Sequence, residues 1–190
     1  MPGESLSGDL HVVLPHRHGV MLAAIDGCGH GPEAARAAEM AAASLRQKPE
    51  STVISHLNRC HLALDGSRGA VMTLADFNHR DQTLTLCGVG NVETTLFRAA
   101  ASGGTPPQET ALLRGGVVGA QLPEPYASVI PVYPGDVLVM ATDGVRTDFG
   151  QELALRSQPQ RLADHLLEKH YKGNDDALVL VVRFRESEDE

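Results

Sequence analysis

The sequence predicts an α+β fold in which antiparallel sheets carry helices on their faces, and three observations point to it. Short strand-like runs dominate the chain, they follow one another in hairpin order, and three helical segments with a single apolar stripe interrupt them. The runs span 10–14, 20–25, 70–77, 83–87, 92–97, 128–132, 137–141 and 177–184, and Gly, Pro, Asn and Asp bound them.

The hairpin signal is clearest at 71–77 and 83–87, where Thr73, Ala75, Thr83 and Thr85 alternate around the polar turn Asn78-His79-Arg80-Asp81. The first helix is predicted over 32–47. Pro32 suits its first position, Glu33 complements its N-terminal dipole, and Ala34, Ala35, Ala38, Ala41, Ala42 and Leu45 make a small-residue face that can approach a sheet closely. The second starts at a Ser51 or Thr52 cap, carries Val53, Ile54, Leu57, Cys60 and Leu64, and ends at Asp65-Gly66. The third, over 159–170, buries Leu162, Leu166 and Leu167. Between 99 and 119 the chain is rich in Gly, Pro and Thr and reads as a long loop with one short strand at 111–113.

The composition narrows the function. A chain of 190 residues can bury a core without staples, and the reading is a single domain over 1–185, a monomer, followed by a solvated acidic tail at 186–190. No apolar run approaches the roughly 18 residues of a membrane span, and Met1 to Ser5 lack an export signal, so a cytoplasmic protein with no membrane partner is expected. A net charge of -8 without a basic cluster argues against nucleic acid, whose phosphates demand Lys and Arg. Cys28, Cys60 and Cys87 have no metal-ligand spacing, and none is followed by an arginine six residues on, as a cysteine-based phosphatase loop requires. His16-Arg17-His18-Gly19 reads as a hairpin turn rather than a zinc pair, and His11, His56, His61, His79, His165 and His170 as surface or partly packed residues.

The chemistry lies where aspartates meet strand ends. One strand runs into Asp26-Gly27 and another through Thr142 into Asp143-Gly144, while Asp9 and the pair Asp175-Asp176 stand immediately before two other strands. In antiparallel sheets, outgoing starts and incoming ends share an edge, so the four positions converge there. A lone Asp-Gly signals a turn. Four carboxylates at one edge repel one another unless cations compensate them, and oxygen-only ligands select Mg²⁺ or Mn²⁺. Two such ions can activate a water for attack on phosphorus. The glycines after Asp26 and Asp143 are expected, having no Cβ, to let the backbone turn sharply and to bring a carbonyl or substrate near the ions.

These residues carry a resemblance. Ser7-Gly8-Asp9, the run Ile25-Asp26-Gly27-Cys28-Gly29-His30-Gly31, Pro134-Gly135-Asp136-Val137-Leu138 with Ala141-Thr142-Asp143-Gly144-Val145, and Asn174-Asp175-Asp176-Ala177 resemble the successive motifs of the metal-dependent, protein phosphatase 2C-like phosphatases. The similarity spans nearly the whole chain. It is narrowest with the bacterial SpoIIE-type branch and, by length, with stand-alone stress-response members of the RsbX type.

The resemblance implies a four-layer α-β-β-α sandwich with a two-metal centre between the sheets at one edge. It implies Mn²⁺ or Mg²⁺, two ions per site, with Asp26 bridging both and the Gly27 carbonyl binding one. Asp143 and Asp175 would complete one ion, Asp9 would serve the other partly through water, and Asp176 would stand behind the ligands. It further implies a serine/threonine phosphatase acting on phosphorylated STAS-domain proteins of a stress-signalling scaffold, the stressosome. Two departures stand out. No arginine precedes Asp9 to hold substrate phosphate, and Cys28 replaces the histidine that follows Asp-Gly in eukaryotic relatives, which leaves His30, two positions on, as the candidate general acid. A phosphoprotein-binding module without catalysis and a hydrolase of small phosphate esters are the alternative readings.

Overall fold

The computed structural model describes residues 6–99, 106–148 and 153–185, so the acidic tail at 186–190 and the glycines at 103–104 lie outside the described residues. In chain order the elements are β1 (Asp9–His16), β2 (Gly19–Gly27), α1 (Pro32–Arg46), α2 (Val53–Ala63), β3 (Ala70–Asn78), β4 (Thr83–Val89), β5 (Glu93–Phe97), β6 (Gln108–Thr110), β7 (Leu113–Arg114), β8 (Ser128–Pro131), β9 (Val137–Ala141), α3 (Pro159–His170) and β10 (Val179–Arg183). They form a six-stranded sheet in the order β1-β2-β3-β4-β7, with β8 also on β4, and a four-stranded sheet in the order β10-β9-β5-β6.

Strand alternation builds the layers. In β2, Met21, Ala23 and Ile25 face α1 and α2, packing with Ala38, Ala41, Leu45, Leu57 and Cys60. Leu22 and Ala24 face the other way and meet Leu96, Leu138 and Met140 of the second sheet. On that sheet's far side Val137, Val139 and Ala141 pack against Leu162 and Leu166 of α3. The three apolar interfaces separate four layers, α-β-β-α, as predicted. Among the described residues no helix is long and apolar enough to cross a membrane.

Local signals explain the helix starts. Pro32 opens α1 and Pro159 opens α3, while Thr52 caps α2 by accepting a hydrogen bond from the Ser55 amide. The alanine face of α1 is buried throughout, and it is needed: a Cβ on Gly27 would lie 2.0 Å from the Ala34 carbonyl oxygen.

The structure corrects several expectations. Among its described residues the 99–119 segment holds two short strands, β6 just before the predicted 111–113 strand and β7 overlapping its end at Leu113. Strands β6 and β7 belong to different sheets, and pieces this short leave no periodic trace; β7 also runs parallel to β4, the one parallel pairing among the described strands. The buried face of α2 keeps Val53, Leu57, Cys60 and Leu64 as predicted and departs from the prediction at Ile54. His56 is fully buried and Ile54 is 38% exposed, because the His56 ring shares its Nδ1 with the Arg59 guanidinium at 2.9 Å. His170 is likewise buried, its Nδ1 2.9 Å from Asp148. Finally, β10 starts at Val179 rather than 177, since the Leu178 amide donates to the Thr142 hydroxyl.

Candidate metal and phosphate site

The strand logic places the acidic residues at one corner. Asp9 and Asp26 face each other across the β1–β2 ladder, at the start of one strand and near the end of the other. In the second sheet Ala141 pairs with Val179, so the Thr142-Asp143 exit of β9 lies beside the Asp175-Asp176 approach to β10. Two hydrogen bonds then stitch the sheets together. The Thr142 hydroxyl donates to Asp9 Oδ2 at 2.5 Å, and the Gly8 amide donates to Asp176 Oδ2 at 2.6 Å.

Between these strand ends opens a cavity of about 260 Å³, lined by Asp26, Asp143 and Asp175 together with Cys28, His30 and Asn91. Asp9 and Asp176 stand behind it, held by their cross-sheet bonds. Asn91 supports Asp143 by donating from Nδ2 to Oδ2 at 2.8 Å. Lys172 donates from Nζ to the Asp143 carbonyl at 2.6 Å, and the Tyr171 hydroxyl donates to the Asp175 carbonyl at 3.0 Å. The steering contacts of Thr142, Asn91 and Lys172 lie beyond what the sequence predicts. Thr142 touches a strand 133 positions away, and Asn91 sits in an ordinary-looking Gly-Asn turn, so no local signal marks either.

The glycines after Asp26 and Asp143 serve a different purpose from the sharp turn expected of them. Neither Gly27 nor Gly144 has a positive φ. A Cβ on Gly144 would lie 1.8 Å from the Asp176 carbonyl oxygen, as one on Gly27 would meet Ala34. Each glycine allows backbones to touch, which draws α1 and the Asp175-Asp176 segment against the site.

The electrostatics are those of an undercompensated carboxylate set. Burial, then the charges of Asp9, Asp143, Asp175 and Asp176, push Asp26 up to about 8. Burial also pushes Asp9 up, to about 6, against the Thr142 hydrogen bond and with the neighbouring aspartates adding to the rise. Asp176 goes the other way: burial would raise it, but the Gly8 amide and the nearby His30 charge contribute to holding it below the usual range. Burial and then the Asp26 charge raise the Cys28 thiol, which keeps it protonated and a poor nucleophile.

Among the described residues no three His, Cys, Asp or Glu side chains stand in a ready-made ligating arrangement. The carboxylates share the corner without converging on a point, Asp9 being turned to Thr142 and Asp143 to Asn91. The chemistry of the donor set nonetheless fits hard divalent cations. Its side-chain donors are carboxylate oxygens, and the raised Asp26 and Asp9 mark negative charge that a cation would relieve.

Comparison with known proteins gives a consistent grouping. The profile of the family described as stage II sporulation protein E (SpoIIE) matches residues 16–185. The phosphoserine phosphatase RsbX of Bacillus subtilis (strain 168) is 25% identical over 144 residues, covering 75% of this chain and 69% of that one. A solved chain from the bacterial stressosome, described as a modular system adapted to control secondary messenger signalling, is 30% identical with a TM-score of 0.85, over 95% of this chain and 93% of that one. A crystal structure of RsbX in complex with magnesium has a TM-score of 0.80 at 21% identity, covering 94% and 87% respectively, and shares the fold.

Proposed function

This chain belongs to the SpoIIE family of protein phosphatase 2C-like phosphatases, and from that premise we propose that it hydrolyses phosphoserine and phosphothreonine on STAS-domain proteins of a cytoplasmic stress-signalling complex. The observation that carries the reading is the gathering of Asp9, Asp26, Asp143, Asp175 and Asp176 from four strand ends at one corner, where Asp26, Asp143 and Asp175 line a single cavity. The substrate class takes support from the name of the phosphoserine phosphatase relative and from the stressosome chain of the same fold.

In this reading Asp26, Asp143, Asp175 and the Gly27 carbonyl would hold Mn²⁺ or Mg²⁺, with Asp9 serving a second ion partly through water. Divalent cations at such a set would supply positive charge to the phosphoryl oxygens and acidify a water for attack at neutral pH. The chain's own groups do the positioning. Thr142 orients Asp9, Asn91 orients Asp143, and Gly8 keeps Asp176 ionised behind them. The protonated Cys28 takes no part as nucleophile, and His30, on the cavity wall, is the candidate to protonate the leaving serine oxygen. The whole of 1–185 acts as this one unit.

The test is phosphate release from a phosphoserine-bearing STAS domain, set beside small phosphate metabolites, with Mn²⁺, Mg²⁺ or chelator present. Metal-dependent release that favours the phosphoprotein is the expected result. Tight binding of phosphopeptide without release under any divalent ion would contradict catalysis, and preference for a metabolite would replace the substrate class. A His30→Ala variant with an unchanged pH profile of turnover would remove the acid role from that residue.

A further inference from the structure

We propose that Arg68 is the cation that grips the substrate phosphoryl group, and that the groove beside it seats the phosphorylated segment of the partner protein. The inference rests on the phosphatase reading above and names the side chain that would hold the phosphate.

Its position follows from the sheet. Ala70 opposes Gly27 in the β2–β3 ladder, and the Cys28 amide donates to the Gly69 carbonyl at 3.0 Å, so the chain just before β3 runs alongside the Asp26-Gly27-Cys28-Gly29 exit of β2. The turn is fixed by Ser67, whose hydroxyl donates to the Leu64 carbonyl at 2.6 Å and accepts from the Gly69 amide at 3.0 Å. The Arg68 guanidinium thereby lies over Gly29: a Cβ there would sit 2.6 Å from Nη1. Gly29 itself lines the carboxylate cavity, so Arg68 lies one residue away from that cavity, in the groove beside it.

The bonding of Arg68 leaves its recognition edge available. Its Nε donates to Glu33 Oε2 at 2.5 Å, and among the described residues Nη1 and Nη2 have no hydrogen-bond partner. A guanidinium held from its side through Nε presents its two-pronged Nη1/Nη2 end, which matches two oxygens of a phosphate. Lys172 lies at the same corner, but its ammonium is engaged by the Asp143 carbonyl.

On the far side of Arg68 a groove of about 450 Å³ opens between the start of α1 and the α2–β3 turn, lined by Glu33, Arg36, Met40, Asp65, Ser67 and Arg68. Its two acids balance its two bases, so it does not repel a chain bearing a phosphate. Arg36 has no ion-pair partner among the described residues, and Met40 offers an adaptable apolar floor. A peptide segment of mixed character, with its phosphoserine directed past Arg68 into the acidic cavity, fits these contacts.

Steady-state kinetics at saturating Mn²⁺ test this, with a phosphoserine peptide and para-nitrophenyl phosphate as substrates. For Arg68→Ala the expected result is a KM raised about tenfold or more for both substrates, with kcat less affected and the Mn²⁺ activation constant unchanged. Arg68→Lys should recover part of the loss, because it keeps the charge and forfeits the fork. Arg36→Ala should raise KM for the peptide alone. A KM within about twofold of wild type for Arg68→Ala on both substrates would overturn the proposal, as would a loss confined to kcat with weakened Mn²⁺ activation. Should the wild type release no phosphate at all, the phosphatase reading fails separately. Anisotropy of the same labelled peptide on the Mn²⁺-loaded protein then decides: equal affinity for wild type and Arg68→Ala overturns the anchor, and weakening of about tenfold upholds it.

Discussion

Strand β9 carries a buried or half-buried aspartate at each end, and the two have opposite surroundings. Before the strand, Asp136 is 2% exposed and fully partnered: Arg98 Nη1 donates to its Oδ2 at 2.7 Å, Tyr133 donates to the same oxygen, and the Ala99 amide donates to Oδ1. Arg98 is itself pinned by Glu109 and by the Pro131 carbonyl, under the ring of Tyr133. After the strand, Asp143 joins Asp9, Asp26, Asp175 and Asp176 at one corner, where the described residues supply hydroxyls and amides but no buried guanidinium. The lesson is that an internal cation marks a carboxylate used to hold the fold, whereas a carboxylate cluster left short of positive charge marks one used to bind.

Removing a carboxylate should therefore have opposite consequences at the two ends. Asp26→Asn is expected to lower metal-dependent phosphatase activity by about 10³-fold or more while raising the melting temperature of the metal-free protein at pH 8 by a few degrees. Activity assays paired with thermal melts in chelator would show it; a fall in stability would break the comparison. Asp136→Ala leaves Arg98 buried without its main partner. It should cost about 3–5 kcal/mol, seen as a melting temperature about 10 °C lower.

A third test separates orientation from ligation. Thr142→Val keeps the shape but removes the hydroxyl that joins Asp9 to the second sheet. Metal affinity, read by titration, should weaken about 10- to 100-fold, as for other groups that hold a ligand in place. The smallest effect is the pH slope of stability without metal. Asp26 and Asp9 are raised to about 8 and about 6, so the folded state holds protons that the unfolded state has released. Their contribution is fully present below about pH 4 and is lost as pH rises through 6 and then 8. The metal-free melting temperature should fall between pH 5 and 8.5, and Asp26→Asn should flatten that fall.

Much of this corner was legible in the sequence because antiparallel strands enforce a simple rule: residues just before one strand and just after its neighbour meet. Asp9, Asp26, Asp143 and Asp175 follow from it. The partners that steer them do not, since the Thr142–Asp9 contact depends on how one sheet stacks on another, a relation that no local pattern encodes. The close backbone contacts that Gly27 and Gly144 allow are hidden for the same reason: their neighbours, Ala34 and Asp176, belong to other elements. At His56, helical periodicity pointed to Ile54 as the buried residue, and a contact with Arg59 overrode it.

The most direct measurement is calorimetric titration of Mn²⁺ into the metal-free protein at pH 7.5, run alongside Asp26→Asn. Saturable binding with release of protons from the raised carboxylates is predicted for the wild type, and its loss for the variant. Binding that is absent, or equal in the two proteins, would mean that the acidic corner is no metal centre.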